Sequence, residues 1–241
     1  LRDGKLIRTV DAKSVSESAL VELMTGRAID KVYPHIERRP GGETLLSLRG
    51  VVAGGVHGVD IDVRAGEVLG LAGLVGSGKS RVWRSILGLQ PLKAGTVTLN
   101  GKDVTGLPTR KLLKSGIFYL PPDRKTEGLV LAASARDNIR LSLLGRRDLA
   151  GPLGLPSPAR SNAEADAIGK RVDLAPGAMA KAVATLSGGN QQKVLFGKGF
   201  GEGRQVYIFD EPTVGVDMGT RSQLYLLIRD LAEAGKAVVI V

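Results

Sequence analysis

At 241 residues the chain can hold one large domain, or one domain and a fragment, around a real core. It has no cysteine and only two histidines, His35 and His57, which excludes disulfides, thiolate metal sites and a cysteine nucleophile and leaves too few histidines for a His-rich zinc centre. The net charge of +10 is scattered and only 4% of residues are aromatic, so no base-stacking platform is visible and no nucleic acid is expected as a partner.

No apolar run approaches the ~20 residues a membrane-spanning helix needs. In chain order, residues 1–8 read as two short strand pieces around the hairpin dipeptide Asp3-Gly4. Ser14 or Ser16 is placed to cap a helix that runs to about Met24, with Gly26 as its stop. Residues 31–42 carry prolines, glycines and charges and read as a linker, so 1–42 is expected to be the end of one unit and 43–241 another. The second unit opens with strands at 45–52 and 59–63, and an apolar strand at 68–72. A helix at 80–87 follows, then a strand at 96–99 ending in the turn dipeptide Asn100-Gly101. A short helix at 110–114 leads to a strand at 116–120. The stretch from about 121 to 190 reads as a helical insertion, with helices near 135–143 and 159–172. A buried strand at 205–209, a helix at 220–234 and a strand at 236–241 complete the series. Strands alternating with helices predict a parallel sheet.

Three strings carry chemistry. The first is Gly73, Leu74, Val75, Gly76, Ser77, Gly78, Lys79 and Ser80, a G-x-x-x-x-G-K-[ST] pattern between a buried strand and a helix. Its glycines let backbone N–H groups curl around phosphate oxygens, and the helix N-terminus adds partial positive charge. Lys79 would reach the β and γ phosphates and Ser80 would offer its hydroxyl to Mg²⁺; Arg81 completes the nucleotide-binding set. The second is the apolar run at 206–209 that ends in Asp210 and Glu211. Ligands bind at the carboxyl ends of strands in open α/β sheets. Asp210 is therefore the candidate to hold Mg²⁺ and Glu211 to polarise an attacking water. The third is Leu186, Ser187, Gly188, Gly189, Asn190 and Gln191, where Ser187 would cap a helix.

Taken in this order the strings resemble the ATP-binding domain of ABC transporters over residues 44–241. The resemblance implies a P-loop α/β fold with a parallel-sheet core, an antiparallel β subdomain on its N-terminal side and an inserted α-helical subdomain. It implies that the 186–191 string binds the γ-phosphate of ATP held by an opposing domain, and that Asp217 in the Gly215-Val216-Asp217 string reaches across to that domain. LSGGNQQK at 186–193 and YLPPDRKTEGLV at 119–130 look like the second ATP-binding domain of the tandem ATPases that power bacterial ribose-, xylose- and galactose-type importers. Residues 1–42, with Val32-Tyr33-Pro34, resemble the tail of the first such domain, and the chain reads as one half of a longer protein truncated at 241. What this resemblance implies is ATP hydrolysis with Mg²⁺ to import a monosaccharide from the cytoplasmic face of the inner membrane. The partners implied are a first ATPase domain or second ATPase subunit, membrane permease subunits and a periplasmic sugar-binding protein.

The pattern breaks in places. No Gln lies between Pro91 and Asn190, where most of the family has one that contacts Mg²⁺ and the membrane partner; Pro121-Pro122 takes the spot. No aromatic stands about 25 residues before Lys79 to stack on adenine, leaving Val56 or His57, and Trp83 reads as core. Arg124, Lys125 and Glu127 form either a membrane-partner loop or a charged turn. The missing Gln and aromatic keep open the alternative of a catalytically weak regulatory nucleotide clamp, and the positive charge keeps open that of a soluble ABC ATPase acting on nucleic acid.

Overall fold

The structure, a computed structural model, describes residues 5–26, 42–151, 155–201 and 203–241. Of the two strand pieces expected around Asp3-Gly4, residues 1–4 fall outside the described residues, as does most of the 31–42 linker, while residues 5–8 form no strand beyond one bridge at Lys5. Helix α1 (Glu17–Thr25) starts where Ser16 accepts a hydrogen bond from the Ala19 amide and stops at Gly26 in the left-handed conformation.

Two four-stranded sheets organise the rest. The antiparallel one has the order β2-β1-β4-β5, built from β1 (Thr44–Ala53), β2 (Val56–Arg64), β4 (Leu92–Leu99) and β5 (Lys102–Asp103). Its register slips between Leu48 and Val51, and Gly95 of β4 faces this bulge with φ +100°. A Cβ at Gly95 would lie 2.6 Å from the Gly50 carbonyl oxygen and the Val51 Cα, so only glycine fits. Asn100 and Gly101, both with positive φ, make the turn between β4 and β5.

The second sheet is parallel, with the order β3-β8-β7-β6. Its strands are β3 (Val68–Gly70), β6 (Ile117–Leu120), β7 (Val206–Phe209) and β8 (Ala237–Ile240). All four residues of β7 are buried, and its side chains divide between two cores with period two. Val206 and Ile208 join Ile117, Ala237 and Val239 against the antiparallel sheet and α2 (Lys79–Ile86), where Trp83 is fully buried as expected. Tyr207 and Phe209 join Phe118, Leu120 and Val238 on the other face. There Phe209 stacks on Phe196 at 4.8 Å between ring centroids.

That second core carries the helical region. Helix α3 (Thr109–Lys114), whose Leu112 belongs to the first core, precedes β6, and α4 (Ala135–Leu143), α5 (Pro158–Arg171) and α6 (Gly188–Gly197) follow it on the second. Ser134, Ser157 and Ser187 each cap the helix after them through the side-chain oxygen. Helix α7 (Met218–Glu233) begins two residues before its expected start, because Asp217 is the cap. Among the described residues no helix is long and apolar enough to cross a membrane.

Candidate nucleotide site

The loop from Gly73 to Gly78 leaves the parallel sheet after β3 and enters α2. Gly76 and Gly78 hold φ values of +87° and +93°, which only glycine adopts without strain. Gly78 caps α2 with no side-chain hydrogen bond, so no capping side chain occupies the first-turn N–H groups. A Cβ on Gly73 would stand 2.8 Å from the Ser77 hydroxyl, and one on Gly78 3.1 Å from the Gly55 carbonyl, while Gly76 faces nothing within 4 Å. Leu74 and Val75 are 85% and 99% exposed. The loop is thus a backbone-lined cradle beside a helix N-terminus, a shape and polarity that suit phosphate.

The carboxylates sit where β7 ends. Asp210 is fully buried, yet it is satisfied: the Ser80 hydroxyl donates to its Oδ1 at 2.8 Å and the Tyr119 hydroxyl to its Oδ2 at 2.9 Å. Burial, reinforced by the nearby Asp210 charge and hydrogen bond, holds the Tyr119 phenol well above its usual pKa. Lys79 Nζ lies 3.1 Å from Glu211 Oε1. Glu211 is itself unusual, with φ +49° on a non-glycine residue, a conformation held by the amide contact to the Val241 carbonyl and the turn to Val214. One hydroxyl and one carboxylate oxygen side by side form the hard-oxygen donor set that Mg²⁺ takes when substrate phosphates and water fill its remaining positions. The residues present therefore fit that ion.

Arg81 directs its guanidinium to the Gly54 carbonyl at 3.2 Å, so its side chain braces the β1–β2 turn against the start of α2. Of the two residues left to meet a base, Val56 is 4% exposed and packs beside Gly78, whereas His57 is exposed and lies on β2 rather than in a loop.

The 186–191 string lies elsewhere. Ser187 accepts from the Asn190 amide and side chain, and Gln191 donates to the Val183 and Leu186 carbonyls. Gln192 donates to the Pro212 carbonyl at 2.7 Å. A Cβ on Gly188 would meet Arg124 at 3.0 Å and the Gly215 carbonyl at 3.1 Å; one on Gly189 would lie 2.4 Å from the Thr220 hydroxyl. Asp217 accepts from the Thr220 amide at 2.9 Å and hydroxyl at 2.8 Å. Burial alone would raise this carboxyl, but those hydrogen bonds hold it below the ordinary range. The structure thus brings the first two strings together into one site and ties the third to the loop that follows Glu211.

Four residues of this region were invisible as a group in the sequence. Tyr119 sits at the carboxyl end of β6 beside Asp210, and Arg84 pairs with Glu127 at 2.7 Å. Arg124 donates to Gln191 Oε1 and to the Val214 and Gly215 carbonyls. The charged turn therefore has its arginine and glutamate engaged within the chain. Only the density of polar residues in 119–130 hinted at this; their partners are far away in sequence.

A phosphate-loop cradle at the end of a parallel sheet, with a buried acid on its serine and a second acid on its lysine, defines a nucleotide-binding P-loop domain. The family model described as ABC transporter matches residues 56–214, and the chain belongs to that family. Its whole length is 39% identical to a "Ribose import ATP-binding protein RbsA 3" of Rhizobium meliloti and 41% identical to a "Ribose import ATP-binding protein RbsA 2" of Streptomyces coelicolor. The chain spans 48% and 46% of those proteins, about half their length. Among solved structures, the ATP-binding cassette MJ0796 bound to ADP and Pi superposes with a TM-score of 0.70 at 23% identity, covering 81% of this chain and 87% of that one. The cassette MJ1267 gives 0.70 at 22% identity, covering 82% and 81%. At these identities the likeness speaks for the fold.

Proposed function

We propose that the chain binds and hydrolyses ATP with Mg²⁺ to power import of a monosaccharide as part of an ABC transporter. The observation that carries this is the joined pair of contacts at one sheet end, Ser80 with Asp210 and Lys79 with Glu211. The full-length similarity to proteins named ribose import ATP-binding proteins supports the direction and the class of solute.

In this reading Gly73, Leu74, Val75, Gly76, Ser77, Gly78 and Arg81 shape the cradle, and Lys79 neutralises the outer phosphates. Ser80 and Asp210 would hold Mg²⁺, which would neutralise charge on the phosphate oxygens. Phosphate competes with Glu211 for Lys79, so occupancy of the cradle frees the Glu211 carboxylate to take a proton from water at the γ-phosphate. Leu186, Ser187, Gly188, Gly189, Asn190, Gln191 and Asp217 serve a nucleotide on an opposing domain. That domain is the first half of the same tandem chain or a second ATPase subunit, with 1–42 the tail of such a first half and 43–241 the second. Permease subunits and a periplasmic sugar-binding protein complete the assembly on the cytoplasmic face of the inner membrane.

The test is a pair of variants. Glu211→Gln should retain MgATP binding and lose about 10²-fold or more of the hydrolysis rate, and Lys79→Ala should lose most binding. Unchanged transport by the full tandem protein carrying Glu211→Gln would turn the assignment toward a regulatory clamp.

A further inference from the structure

The turn after β6 is a single π-helical turn, Arg124–Gly128, capped by Asp123, whose Oδ1 accepts from the Lys125 and Thr126 amides. Such turns recur at functional sites because they cost the backbone its best hydrogen-bond geometry. This one is anchored on two sides. Toward the phosphate site, Glu127 accepts from Arg84 of α2 at 2.7 Å, and the Arg84 charge acts on the neighbouring Tyr119 hydroxyl, which donates to Asp210. Toward α6, Arg124 Nε donates to Gln191 at 3.3 Å, and its two terminal nitrogens donate to the Val214 and Gly215 carbonyls at 3.0 and 3.3 Å. The far end of the turn is held to the same helix, since Lys198 donates to the Gly128 carbonyl at 2.6 Å. Gly128 packs so closely on Leu195 that a Cβ there would come within 2.9 Å.

The turn is therefore held by charge-assisted hydrogen bonds on both sides, to Arg84 of α2 beside the phosphate site and to Gln191 in the first turn of α6, and its own backbone joins the two anchors. The guanidinium of Arg124 has a specific shape requirement. Its fork reaches three acceptors on two separate segments, which a lysine ammonium on one flexible stem cannot reproduce. Gly188 is the residue that leaves room for it.

We propose that the Arg124–Gly128 turn ties the first turn of α6 and the 213–217 loop to the state of the phosphate site, with Arg124 and Glu127 as positioning residues. The proposal rests on the nucleotide reading above. Neither residue touches the cradle, so removing either leaves the chain's own MgATP affinity intact and uncouples the surface formed by α6 and the loop.

Amide hydrogen exchange of the whole chain, with and without MgATP, tests this alongside a direct MgATP titration. In the wild type, MgATP slows exchange about tenfold both in α2 and at 187–191 and 213–217. In Arg124→Lys and in Glu127→Gln, MgATP binds within about threefold of the wild type and still protects α2, while the response at 187–191 and 213–217 is lost. Thermal unfolding shows that each variant is folded, and two independent variants guard against one that is not. A retained response in both variants overturns the proposal. So does a wild type that binds MgATP without any change at 187–191. A wild type that fails to bind MgATP overturns the nucleotide reading itself, and the coupling with it.

Discussion

Asp210 is the residue on which the site turns. A carboxylate with no exposed surface survives only because two hydroxyls donate to it, one from the loop's helix and one from the neighbouring strand. Tyr119→Phe removes one of those donors without changing shape, and we expect a loss of about 1–2 kcal/mol in urea unfolding. The same tyrosine sets an alkaline limit. Burial raises the Tyr119 phenol above its usual pKa and pushes Tyr207 up to about 12. The folded chain thus binds these protons more tightly than the unfolded one. Their contribution is complete below about pH 10 and is lost as the pH climbs through the raised values. Absorbance at 295 nm should show Tyr119 and Tyr207 titrating together with unfolding rather than before it. Lys79 and Glu211 were readable from the sequence because both their residue types and their places in the string are demanded by phosphate chemistry. Tyr119 was not, since nothing in a strand of four apolar-rich residues says which hydroxyl will meet an acid a strand away.

At the scale of elements, local signals fixed boundaries where one residue decides them. Ser16, Ser134, Ser157 and Ser187 each start a helix, and Gly26 ends one. Helix α7 shows what such a cap contributes. Asp217→Ala should cost about 1 kcal/mol. Because the folded carboxyl titrates below its unfolded value, that contribution is present above about pH 4 and fades as the pH falls through the lowered value. Asp217→Asn should keep most of the cap and flatten this acid limb in a series of thermal melts. The π-helical turn stayed illegible for the opposite reason. Its geometry depends on Arg124 and Glu127 reaching α6, the 213–217 loop and α2, and hydrogen-bond partners that distant leave no periodic trace.

For the whole molecule, the alternation of strands and helices announced a parallel sheet, but not the strand order β3-β8-β7-β6, which rests on pairings between segments remote in the chain. The phosphate loop bonds to Asp210 and Glu211, while the 186–191 string faces the Arg124 clamp and the 213–217 loop. A site completed by a second domain should make hydrolysis depend on association. We expect the rate per chain to rise with chain concentration, whereas dilute chain binds MgATP and turns it over slowly; a rate per chain that is fast and constant on dilution excludes this. The strand order also governs when the molecule becomes competent. Among the described residues, strand β3, which launches the phosphate loop, has β8 as its only neighbour in the sheet, so Val68 waits for Val238. Closing so large a loop is entropically slow. A nascent chain on the ribosome therefore displays its phosphate-loop sequence long before the strand that seats that loop in the sheet has been made.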